Sequence, residues 1–83
     1  MPYIKQKDRA KFDAHIEELL KYDLLPGDLN YIFSRLAHGQ FNKSVSYTNG
    51  NQIVGAFECA KMEFYRRWLV PYEEEKIKEN GDI

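Results

Sequence analysis

Eighty-three residues and 9.8 kDa leave room for one domain, and exclude a doubly wound sheet or a cofactor domain joined to a substrate domain. Twelve Lys and Arg nearly cancel 13 Asp and Glu, so a net charge of −1 excludes a general electrostatic pull toward DNA, RNA or anionic membrane. Hydrophobic residues at 43% are too many for a disordered tail, and no apolar run approaches the ~18 residues that cross a bilayer.

In chain order, the spacing predicts a first helix from about Asp8 to Tyr22. Phe12, Ile16, Leu19 and Leu20 fall on one stripe at i, i+4, i+7 and i+8. Leu24-Leu25-Pro26-Gly27 ends it. A second helix follows from about Gly27 to His38, with Leu29, Ile32, Phe33 and Leu36 as its apolar stripe. Gly39 stands where a left-handed C-cap is wanted. Residues 40–50 read as a polar turn, apart from Phe41, Val45 and Tyr47, with room for a short extended piece at 44–47. Ser46 or Thr48 is the candidate cap of the next helix.

The third helix is predicted from about Asn49 to Val70. Ile53, Ala56, Phe57, Ala60, Phe64 and Trp68 share one face, and Val54, Met62, Tyr65 and Leu69 widen it past half the circumference. A helix so broadly apolar is covered by more than one neighbour. Pro71 is expected to kink or restart the chain, with Tyr72 to Glu79 as a charged helix that Gly81 stops. The fold class is therefore all-α: one domain over 1–83, three helices with a charged C-terminal helical extension, assembled as a homo-oligomer. Aromatics at 14%, too many for one small core, point the same way: some rings belong to a subunit interface or a ligand.

No motif in the chain fixes a chemistry. His15, His38 and Cys59 lie on three segments without metal-ligand spacing, so neither a metal nor another cofactor is expected. Cys59 has no base placed beside it by spacing, and Asn49-Gly50-Asn51 is a lone glycine in a turn rather than a phosphate loop. No catalytic residue is assigned, and the chain is read as a non-enzyme. Two helices around Pro26-Gly27 have the outline of a helix-turn-helix. The second brings only Asn30 and Arg35 to a base edge, so nucleic acid is not the expected partner.

Two clusters stand out. With Leu29 at 0°, Tyr31, Arg35 and His38 fall at about 200°, 240° and 180°, opposite the core stripe. They are either ordinary polar surface or a recognition strip, with Tyr31 stacking and Arg35 pairing an anion. The second cluster is Tyr65-Arg66-Arg67-Trp68. It is either a set of helix pairs with Glu63 and an interface arginine, or an arginine–aromatic pocket for a phosphate-bearing, ring-bearing ligand.

The opening Met1-Pro2-Tyr3-Ile4-Lys5, the segment Pro26-Gly27-Asp28-Leu29-Asn30-Tyr31, the run Glu58-Cys59-Ala60-Lys61 to Phe64-Tyr65-Arg66-Arg67, then Pro71-Tyr72-Glu73 and Glu79-Asn80-Gly81-Asp82, span nearly the whole chain. Together they resemble a family of small uncharacterised proteins carried by bacteria and their phages. The resemblance implies a helical protein of the phage or prophage setting and transfers no catalytic residues. With a single cysteine and no h-region in the opening segment, the expected location is the reduced cytoplasm of a bacterial host. The reading that joins these features is an oligomer that captures a small nucleotide-type ligand between subunits, a sponge for a cyclic nucleotide immune signal. The alternatives are a protein-binding adaptor or inhibitor, and a small nucleic-acid-binding regulator.

Overall fold

The structure is a computed structural model and describes residues 4–83. Of the opening motif, Met1, Pro2 and Tyr3 lie outside the described residues. The described chain is all-helical, with no strand. A 3-10 turn at Gln6–Asp8 leads into α1, Ala10–Leu20. Helix α2 is Pro26–Lys43. Helix α3, Tyr47–Phe64, runs through a π-helical turn, Tyr65–Leu69, into α4, Val70–Asn80. The chain divides into two units, Met1–Gln40 and Phe41–Ile83.

Proline at the first position of α2 loses no hydrogen bond, because the first N–H groups of a helix have no partner within it. The Asp28 carboxylate reaches back and accepts from the Leu25 backbone N–H at 2.9 Å, half of a capping box. At its other end α2 passes the expected stop. Gly39 does not cap the helix; it lies one turn inside it, and α2 continues to Lys43. No φ in the left-handed region occurs there, and a Cβ added to Gly39 would meet nothing within 4 Å. Gly39→Ala is therefore expected to raise stability by about 0.5–1 kcal/mol, the ordinary gain at a helix interior. Thermal unfolding checks this, because a left-handed cap would lose stability instead.

The turn into α3 is closed by its own polar groups. Ser46, of the two candidates, is the cap: its Oγ accepts from the Asn49 N–H at 3.1 Å. The Asn49 side-chain amide donates to the Ser44 carbonyl at 2.8 Å. The possible extended piece at 44–47 is no strand: Ser46 is extended, at φ −159° and ψ 158°, and Tyr47 is already helical.

Pro71 does not break the chain. Residues 47–80 form one joined helix of 34 residues, so the charged extension continues the third helix instead of restarting after it. Proline has no N–H for its i−4 carbonyl, and its ring crowds that carbonyl. The π turn just before it widens the ladder: the Val70 N–H bonds to the Tyr65 carbonyl, five residues back. Gly81 ends the helix as expected, at φ 86°, with its N–H on the Ile77 carbonyl at 2.8 Å. The helical stripes read from the sequence thus form up to Phe64, where the π turn interrupts the α-helical spacing, yet none of the described residues is buried. Phe12, Ile16, Phe33, Leu36, Phe64 and Trp68 all remain exposed.

Candidate functional site

Helix α2 brings Tyr31 and Arg35 together. The four-residue spacing stacks their side chains on one face. Arg35 Nη1 donates to the Tyr31 hydroxyl at 2.9 Å, and the guanidinium carbon lies 5.7 Å from the centre of the tyrosine ring. His38, also exposed, follows one turn later on the same helix. Tyr31 is 62% exposed, as is Leu36 on the apolar stripe at 61%.

The chemistry of this pair lies in what Arg35 lacks. Among the described residues no carboxylate pairs with it; its partner is a neutral phenol. Asp28 is the only acid on α2, and its carboxylate is occupied at the helix start. The guanidinium keeps its full positive charge and most of its N–H donors. The phenol oxygen accepts from Arg35, so its own proton remains to be donated. An anion placed here meets donors from both side chains, and a flat ring finds the open tyrosine face.

The second cluster is arranged differently. Glu63 sits one turn before Arg66 and Arg67 and takes both. Arg66 Nη2 donates to Glu63 Oε1 at 2.9 Å and Oε2 at 3.0 Å; Arg67 Nη1 reaches Oε1 at 3.3 Å. The Arg67 guanidinium lies 4.7 Å from the centre of the Trp68 ring, and Phe64 and Trp68 are in tilted ring contact at 6.0 Å. Glu63 is the less exposed partner, at 28% of its side chain against 70% for Arg66. The helix pairing with Glu63 is therefore present, for both arginines. An incoming phosphate at this cluster competes with a carboxylate already in place. Tyr65 opens the π turn next to these groups.

A third feature was not visible as a site in the sequence. Phe41 on the last turn of α2 lies over Gly50, with ring atoms 3.5 and 3.9 Å from where a Cβ would stand. With Val45, Ser46, Tyr47 and Asn51 these residues line an open, mainly apolar groove of about 380 Å³. The only signal was apolar Phe41, Val45 and Tyr47 in an otherwise polar turn. Their meeting depends on α2 continuing past Gly39.

Among the described residues no three His, Cys, Asp or Glu side chains gather as a metal site requires, and no helix is long and apolar enough to cross a membrane. Cys59 is a half-buried free thiol.

Fold and surface together define an all-helical chain that displays aromatic and guanidinium groups on open helix faces. The chain belongs to the family described as Domain of unknown function (DUF6899), whose model matches residues 1–83. No curated protein and no solved structure matches it.

Proposed function

We propose that the protein is a non-enzymatic, self-associating binding protein that captures a small anionic, ring-bearing ligand, a nucleotide of the cyclic type, at the Tyr31–Arg35–His38 strip. One observation carries this reading: Arg35 is held by a neutral hydroxyl, with no carboxylate among the described residues to neutralise it. Arg66 and Arg67, by contrast, are held against Glu63 one turn earlier, and Arg9 donates to the Ile4 backbone carbonyl. Tyr31 adds the stacking surface that a base needs and a phosphate alone does not. Self-association is supported by the apolar face of the third helix, which Ile53, Phe57, Ala60 and Phe64 form and Val54, Met62, Tyr65 and Leu69 widen past half the circumference. Subunits that meet near α2 would enclose the strip and strengthen each charge contact by excluding water. Within the bacterial and phage setting that the resemblance implies, such capture sequesters a nucleotide immune signal.

Calorimetric titration of the full chain tests the reading. The ligands are linear and cyclic mono- and dinucleotides, cyclic ADP-ribose isomers and the matching nucleosides. Stoichiometric binding without turnover, confined to the phosphate-bearing compounds, is the expected outcome. An adaptor for another protein would bind none of them.

A further inference from the structure

We propose that Asn80 is a site of spontaneous covalent modification: its side-chain amide is displaced by the Gly81 backbone nitrogen, and water leaves aspartate or isoaspartate at position 80. The reaction needs no enzyme and no oxidant. The Gly81 nitrogen gives its proton to water or hydroxide and attacks Asn80 Cγ. A bond forms between the two, the Cγ–Nδ2 bond breaks, and the amide nitrogen takes up protons from water and leaves as ammonia. The product is a five-membered succinimide. Water then adds to one of its two carbonyls and breaks that C–N bond, giving aspartate by one opening and isoaspartate by the other. Asparagine before glycine suits this chemistry, because a residue without a Cβ leaves the attacking nitrogen unhindered.

The sequence holds two such pairs, Asn49-Gly50 and Asn80-Gly81, and their surroundings differ. Asn49 lies in the first turn of α3, and each group that the reaction moves is held there. Its side-chain amide donates to the Ser44 carbonyl at 2.8 Å, and its backbone N–H donates to Ser46 Oγ at 3.1 Å. The Gly50 N–H donates to the Ser46 carbonyl at 3.0 Å. The Phe41 ring covers Gly50, 3.5 Å from where a Cβ would stand. Ring closure turns ψ of the asparagine away from its helical value, and at Asn49 that rotation interrupts α3 near its start.

Asn80 is the last residue of α4. Among the described residues no hydrogen bond holds its side-chain amide. Gly81 already stands outside the helix, at φ 86° and ψ 154°, and no atom lies within 4 Å of where its Cβ would be. One hydrogen bond opposes the rotation, from the Gly81 N–H to the Ile77 carbonyl at 2.8 Å. Helix ends fray at almost no cost in free energy, so the reacting geometry needs the opening of a single turn. Every group in this comparison belongs to the unit Phe41–Ile83.

The conversion adds a carboxylate to a chain of net charge −1. The new charge falls at the negative end of the helix dipole, beside Glu79 and Asp82, where an anion is unfavourable. Isoaspartate also lengthens the backbone by one carbon, which breaks the helical spacing. The last turn of α4 therefore loosens as the chain ages.

Mass spectrometry of the full chain tests the assignment. The protein is held folded in mildly alkaline buffer, and a second sample is held in concentrated urea. In the folded sample the mass should rise by the difference between an amide and an acid. Peptide mapping should place the change at Asn80, with Asn49 converting at least about tenfold more slowly. In urea the two asparagines should convert at similar rates, because the contacts that hold Asn49 are gone. Asn80→Gln should remove the early mass rise, since the longer side chain must close a less favourable six-membered ring. An intact Asn80 in the folded chain, conversion of Asn49 as fast as Asn80, or the same ratio of rates in urea would each overturn the proposal.

Discussion

Phe57→Asp is expected to dissociate or unfold the protein. In the single chain Phe57 is 39% exposed, so a charge there can still reach water and loses only part of the ring's contacts. If a second copy covers the stripe, the carboxylate enters an apolar contact with nothing to pair it, at a cost of several kcal/mol. The two situations differ by far more than experimental error. Sedimentation at micromolar concentration should change from a multiple of 9.8 kDa in the parent to monomer or to unfolded chain in the variant. A variant with unaltered helicity and unaltered assembly would remove Phe57 from any interface.

Arg35→Ala is expected to weaken nucleotide binding by about 1.5–3 kcal/mol, roughly 10- to 160-fold, the range for hydrogen bonds to a charged group. Helicity and assembly should be unchanged, because the pair it leaves is an exposed arginine–phenol contact. Arg35→Lys should restore part of the loss, since the ammonium keeps the charge but not the two-pronged geometry. Arg66→Ala should matter less, because Glu63 already occupies that guanidinium. Calorimetry on the three variants ranks the arginines. Equal binding by Arg35→Ala and the parent would move the site elsewhere.

Local rules were legible in the sequence where local groups decide the outcome. Ser46 caps α3 because a hydroxyl three residues before a first-turn N–H needs no tertiary help. Tyr31 and Arg35 meet because four residues make one helical turn, and Arg66 meets Glu63 by the three-residue spacing. Legibility ended where two local preferences compete. Gly39 is free to adopt a cap but equally free to stay helical, and Gln40, Phe41, Asn42 and Lys43 extend the helix past it. Pro71 lacks a donor, but a single π turn absorbs that lack while the helix continues. No residue pattern announces a π turn; its effect is visible only in which side chains come next on the face. Burial was the least legible property. The stripes hold as far as Phe64, where the π turn shifts the phase of the residues that follow, but an apolar stripe does not say which surface covers it, and none of the described residues is buried.

The most direct measurement is the affinity of the parent protein for one nucleotide beside the matching nucleoside, identical except for the phosphate. If an uncompensated Arg35 beside Tyr31 is the ligand site, the nucleotide binds stoichiometrically and at least about tenfold tighter, since one charged hydrogen bond is worth that much. Raising the salt concentration should narrow the gap. Equal affinity for the two compounds, or no binding of any phosphate-bearing member of the panel, would contradict the account and leave the exposed helix faces as surfaces for a protein partner.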